Sequence, residues 1–156
     1  MDDASPVAAT PTSDRPLRRV RVLGLVVVIA GCIMSVAGLL TWFVVQDQLS
    51  DEHITVSDDA DNFAGDPVEG PFTAYAEADA IEGHALEASG GKTYAQLAQD
   101  DPTRDTVMTA SFLRSSLFTS VVAFGVAAMA FALGLVLVVI GLALVSLATP
   151  PAAHRA

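Results

Sequence analysis

Cationic charge, cysteine and, over two long stretches, any ionisable residue at all are what this sequence has little of. Lysine and arginine number 8 against 18 aspartates and glutamates, for a formal net charge of −10. Neutralising nucleic-acid phosphates takes clustered Lys and Arg, so no nucleic-acid partner is expected. A single cysteine, Cys32, excludes an internal disulfide framework. No serine or cysteine nucleophile motif is present. What the chain has instead is apolar bulk: 52% hydrophobic residues and a mean hydropathy of +0.49 place it in a membrane class.

The charge-free stretches carry that bulk. Leu117 to Leu147 is 31 residues without a charge, about 46 Å as a helix against a hydrocarbon core about 30 Å thick. Val22 to Val45 is a further 24 uncharged residues, about 36 Å as a helix, enough to span with some tilt. The expected fold is mainly α: an antiparallel two-helix transmembrane hairpin with a small, mostly helical extracytoplasmic domain. Its expected divisions are a disordered tail over 1–19, a first span over 20–45, an acidic domain over 46–114, a second span over 115–147 and a short tail over 148–156. Neither run contains Asp, Glu, Lys, Arg or His, the residues that mark ion paths and proton relays inside membranes. That argues against a pump or coupled transporter built from this chain alone.

Charge sets the expected threading. Arg15, Arg18, Arg19 and Arg21 flank the first run, and His154 and Arg155 follow the second. Between the runs, Gln46 to Ser116 carries fifteen acidic residues against Lys92, Arg104 and Arg114. The positive-inside rule then places both termini in the cytoplasm of a plasma-membrane protein and the loop outside. Trp42, Phe43, Phe112 and Phe118 fall at the outer interface, where aromatic belts form. Three processing readings compete with an uncleaved first helix. Arg18-Arg19 resembles a twin-arginine signal, Ile29-Ala30-Gly31-Cys32 a lipobox, and Ser35-Val36-Ala37 a signal-peptidase site. Other features of a twin-arginine signal are lacking, and the apolar run continues beyond the lipobox and the signal-peptidase site to Val45, which favours the uncleaved helix.

Small residues recur every seven positions in both runs: Gly24, Gly31 and Gly38 in the first, and Ser120, Ala127, Gly134, Gly141 and Ala148 in the second. Small residues let backbones approach closely, which drives helix packing in lipid. The expected arrangement sets Gly24, Gly31 and Gly38 against Ala127, Gly134 and Gly141; the alternative turns a stripe toward another membrane protein or a second copy.

Within the loop, Ile54-Thr55-Val56 is a candidate short strand, and Asn62 to Pro71 reads as a turn-rich connector. Thr73 is placed to cap a helix running to about Ser89, stopped by Gly90-Gly91. Thr93 is placed to cap a short turn, and Asp101-Pro102 to start a helix that continues into the second run, with Arg114 snorkelling to the outer surface. The chemistry-like features are thin. Gly91-Lys92-Thr93 lacks the first glycine of a phosphate loop, since that position is Leu86. Asp58, Asp59, Asp61 and Asp66 are out of register for a calcium loop. His53 and His84, each beside carboxylates, are a set from which iron or zinc would draw two imidazoles and an acid, yet no spacing brings them together. No catalytic, cofactor-binding or metal residues are therefore assigned.

Residues 38–147 also carry longer words: Thr41-Trp42-Phe43, Glu52-His53-Ile54-Thr55-Val56, Gly70-Pro71-Phe72-Thr73-Ala74, His84-Ala85-Leu86-Glu87-Ala88, Gly90-Gly91-Lys92-Thr93-Tyr94, Ser111-Phe112-Leu113-Arg114, and Leu117 through Ala128. In these the chain resembles a small actinobacterial family of two-span membrane proteins of undefined function, whose members are often labelled an aromatic ring-opening dioxygenase subunit. The resemblance implies a topology and supplies no catalytic residue to carry over. Three functions are expected in descending order: a non-enzymatic accessory or interaction protein of the cell envelope, a metal-dependent enzyme using the loop histidines, and a subunit of a pore or transporter. Expected partners are the lipid bilayer and a membrane protein or second copy; no cofactor is expected.

Overall fold

The computed structural model describes residues 15–149, with side chains from Leu17 to Thr149. Its elements are α1 (Arg15–Asp51), α2 (Pro71–Ala88), a 3-10 turn (Tyr94–Gln96) and α3 (Arg104–Leu147). No named strand occurs among the described residues. The tail residues before Arg15, and His154 and Arg155 after the second run, lie outside the described residues.

Both apolar runs are helical, and both helices outlast them. α1 begins at Arg15, inside the segment expected as tail, and continues through Gln46–Asp51 beyond the expected span. The end of an apolar run marks a change of surroundings, whereas a helix stops only where its backbone is capped. Here the cap is Glu52-His53: Glu52 N–H donates to Leu49 O and His53 N–H to Ser50 O. His53 turns the chain out at φ 51°, and its ring Nδ1 donates to Ser50 O at 2.9 Å. α3 starts at Arg104, after the expected Asp101-Pro102 signal. Asp101 Oδ1 accepts from Thr103 N at 2.9 Å and from Thr103 Oγ1 at 2.6 Å.

Contacts divide the chain into two units, Met1–Ile33 with Gly134–Ala156, and Met34–Leu133. In the first, Gly24, Gly31, Gly134, Gly141 and Ala148 are buried, while Leu23, Ile29, Ile33, Leu135 and Val139 are exposed. The second holds the only buried cluster of large apolar side chains among the described residues. Leu49, Leu117 and Phe124 meet Val56, Val68, Ala74 and Ala78 there. Phe124 is 1% exposed and packs edge-on to Trp42, with ring centroids 4.7 Å apart.

The loop segment is more ordered than its sequence suggests. Ile54-Thr55-Val56 forms one antiparallel bridge, Thr55 with Pro67, rather than a strand. Val56 N–H donates to Asp66 O and Val68 N–H to Ile54 O, each at 2.9 Å. The expected connector is thus the return arm of a small hairpin, and Val56 and Val68 are its two buried anchors. α2 opens on Pro71, at the first helical position, where its missing N–H costs nothing. Thr73 is therefore not the N-cap: it sits one turn in, and its Oγ1 accepts from Glu69 N and Gly70 N, both at 3.2 Å. Gly90 and Gly91 end the helix at φ 64° and 83°, with Gly91 N–H on Leu86 O at 2.7 Å.

Candidate functional site

The small-residue stripes lie against each other. In the first unit, a methyl group on Gly24 would sit 2.9 Å from Gly141 O, and one on Gly31 would sit 2.6 Å from Gly134 O and 2.8 Å from Val138 N. In the second unit, a methyl group on Gly38 would sit 2.7 Å from Ala127 O and from Phe131 N. Ser35 Oγ donates to Phe131 O at 3.2 Å across the same interface. In the first unit the step from Gly24 to Gly31 is matched by the step back from Gly141 to Gly134, and in the second Ser35 meets Phe131 while Gly38 meets Ala127, so the paired segments run antiparallel within each. These are backbone atoms and cannot swing aside, so the close approach itself requires glycine. Thr41 Oγ1 bonds back to Ala37 O at 2.9 Å, which leaves its hydroxyl satisfied within its own helix.

In the loop region the two histidines have separate employments. His53 holds the α1 terminus. His84, on α2, places Nε2 2.6 Å from Asp59 Oδ2; a carboxylate only accepts, so Nε2 carries the proton. The hydrogen bond to His84, joined by a backbone hydrogen bond, holds the Asp59 carboxyl below the usual range. The same hydrogen bond and the Asp59 charge raise His84, and the charges of Glu77 and Glu87 add to them against partial desolvation. The Asp101 carboxyl is lowered by its hydrogen bonds from Thr103. Among the described residues no three His, Cys, Asp or Glu side chains are grouped to hold a metal. Cys32 is exposed on α1. The Gly91-Lys92-Thr93 words are spent on structure: Lys92 O accepts from Ser89 Oγ at 2.5 Å, and Thr93 caps the 3-10 turn through Gln96 Oε1 at 2.9 Å.

Two further carboxylates matter: Glu77, which the sequence did not single out, and Glu82, which it offered only as a neighbour of His84. Glu77 is 8% exposed, and its Oε2 accepts from Ser57 N at 2.7 Å and Ser57 Oγ at 3.0 Å. Twenty residues separate the partners, and no local pattern announces such a bond. Glu82 meets Arg114 at 2.5 Å, so the Arg114 head turns to α2. Its guanidinium carbon lies 5.2 Å from the Phe118 ring, and its buried Nε has no hydrogen-bond partner among the described residues.

No family model matches the chain, and neither a curated protein nor a solved structure is significantly similar to it.

Proposed function

We propose that this chain is an integral membrane protein of the cell envelope that acts as a non-enzymatic accessory or interaction protein. In this reading α1 and α3 cross the bilayer as an antiparallel pair, with the arginine-flanked end of α1 in the cytoplasm and the acidic segment between the helices outside. One observation carries it. Gly24, Gly31 and Gly38 are covered by α3, while large apolar side chains around both helices, among them Leu40, Phe43, Val122 and Ile140, are exposed. Monomeric soluble proteins rarely expose contiguous apolar surface on that scale; lipid is the solvent that suits it. The two helices pass the length and hydropathy test for membrane spans. A cleaved signal sequence fits poorly, because the glycine face of α1 packs on α3 and the helix continues to Asp51.

The accessory role is favoured over the dioxygenase label that the family resemblance implies. Ring opening of that kind uses two histidines and a carboxylate on one iron. Here His53 is tied to Ser50 O and His84 to Asp59. The test has two stages. Single cysteines at Asp61 and Ser13, in a Cys32→Ser chain, are labelled on intact cells with a membrane-impermeant maleimide: Asp61→Cys is expected to react and Ser13→Cys to be protected. In-cell cross-linking followed by native purification then reads partner and bound metal by mass spectrometry. A stoichiometric metal lost on replacing His53 and His84 would replace the accessory reading with an enzymatic one, and a strictly monomeric protein without a partner would also sink it.

A further inference from the structure

Within the Met34–Leu133 unit, α2 starts beside the apolar run of α3 and climbs away from it. Ala74, in its first turn, is fully buried in the cluster that holds Leu117 and Phe124. The Tyr75 ring meets Phe118 edge-on, with centroids 5.6 Å apart. Seven residues on, Glu82 meets Arg114, four residues back along α3. Phe72 precedes Tyr75 by about 4.5 Å of helical rise, so it stands beyond Phe118, toward Val121 and Val122. The charge-free run of α3 has already begun there, at Leu117. Gly38 of α1 meets Ala127, so Val45, where the α1 apolar run ends, is level with Ser120. The opening of α2 therefore reaches the level at which both apolar runs end. Yet Phe72 is 74% exposed and Tyr75 52%, and residues 70–76 carry no charge. Further along α2 the exposed residues are Asp79, Gly83 and Glu87. Polarity thus changes along the helix axis, from an aromatic end beside the apolar runs to an acidic end away from them.

We propose that the first turn of α2 is seated in the outer leaflet of the bilayer, at the boundary between headgroups and acyl chains, with Phe72 and Tyr75 as its anchors. Aromatic rings gather at that depth, and the tyrosine hydroxyl finds polar partners there. The hydrocarbon interior suits this turn less well, because exposed Glu69 stands one residue before Gly70 and charge there is costly. Pro71 at the first helical position brings no N–H that lipid would leave unpaired. A symmetric contact with a second copy through this face would set Asp79 and Glu87 against the same carboxylates; a lipid interface sets nothing against them. The inference rests on the membrane-spanning reading and adds to it a third point of membrane contact, inside the segment that joins the two spans.

The experiment separates the two. Phe72→Cys, Val122→Cys and Glu87→Cys, each alone in a Cys32→Ser chain, are tagged with a nitroxide and reconstituted in phosphatidylcholine nanodiscs. All three positions are exposed on the protein. Collisions with oxygen, which concentrates in lipid, and with a water-soluble nickel complex are read by electron paramagnetic resonance. Oxygen is expected to dominate at positions 122 and 72, more strongly at 122, and nickel at position 87. Nickel dominating at 122 would overturn the spanning reading and the inference with it. Oxygen dominating at 122 but nickel at 72 would overturn the inference alone, as would a label at 72 shielded from both reagents, which would mean that protein covers the turn. A second measurement keeps an aromatic ring at the position. In a Trp42→Phe chain, Phe72→Trp emission is expected to be quenched by phosphatidylcholine brominated near the top of its acyl chains and spared by aqueous iodide. Quenching by iodide and not by the brominated lipid would equally overturn the proposal.

Discussion

Gly24 and Gly141 exclude a side chain from each other. A methyl group on either would lie within 3 Å of the other's carbonyl oxygen, at 2.9 Å from Gly24 and 2.7 Å from Gly141. Gly141 is the tighter, since its methyl would also meet Val28 N at 2.8 Å. Gly141→Ala is therefore expected to destabilise the folded chain by about 1–3 kcal/mol, the usual cost of overpacking. Gly125 sits on the same helix with nothing within 4 Å of an added methyl. Gly125→Ala is expected to be neutral or to stabilise by roughly 0.5–1 kcal/mol, through helix propensity. Unfolding of both variants in mild detergent checks the pair; equal behaviour would remove glycine packing as the reason for the stripe.

How much of this was legible follows from the range of the signals. The seven-residue recurrence of glycine is local to each helix and repeats, so both faces show in the sequence. The stop at Gly90-Gly91 and the start near Asp101 are equally local. The small hairpin is not. Its only sequence mark is the three-residue Ile54–Val56, and what holds it is Val68, fourteen residues on, and Glu77, a turn and a half into α2. The same is true of His84: the residue was visible as a candidate, but its partner Asp59 lies 25 residues away on another element. Long-range pairings of single polar residues leave no periodic trace.

Glu77→Ala tests one of those pairings. The substitution strips the acceptor from the Ser57 amide and hydroxyl at once. A buried donor left unpaired costs about 1–3 kcal/mol. The expected result is that loss in stability, together with faster hydrogen exchange at Ser57 and Val56 and little change along α3. Glu77→Gln keeps an acceptor oxygen and is expected to lose less. Unaltered exchange at Ser57 in the alanine variant would show that the carboxylate does not hold the hairpin.

Phe124 anchors the core of the Met34–Leu133 unit, with Trp42 edge-on at 4.7 Å. Phe124→Ala is expected to cost about 3–5 kcal/mol, as for a large-to-small change in a packed interior. Trp42 is the only tryptophan, so its emission reports the site directly. A red shift with raised quencher access is expected in the folded variant, and an emission spectrum identical to that of the parent chain would contradict the contact.

The Asp59–His84 pair gives a pH dependence whose sign is fixed. His84 is raised by its hydrogen bond to Asp59, so its contribution to stability is complete below the ordinary imidazole value, about 6.5, and is lost as pH climbs through the raised one. Asp59 is lowered by the same bond, so its contribution is complete above the ordinary carboxylate value, about 4, and is lost as pH falls through the depressed one. The tie between the hairpin and α2 is thus strongest from about pH 4 to 6.5 and loosens on both sides. Both side chains are exposed, at 50% and 67%, so solvent screening keeps the effect on global stability small. The sharper readout is the ring itself. In an NMR titration, Asp59→Asn is expected to bring the His84 midpoint down, leaving the smaller lift from Glu77 and Glu87. If the midpoint stays where it was, the imidazole does not meet Asp59 in solution, and the hairpin is held to α2 by Glu77 and its buried valines without it.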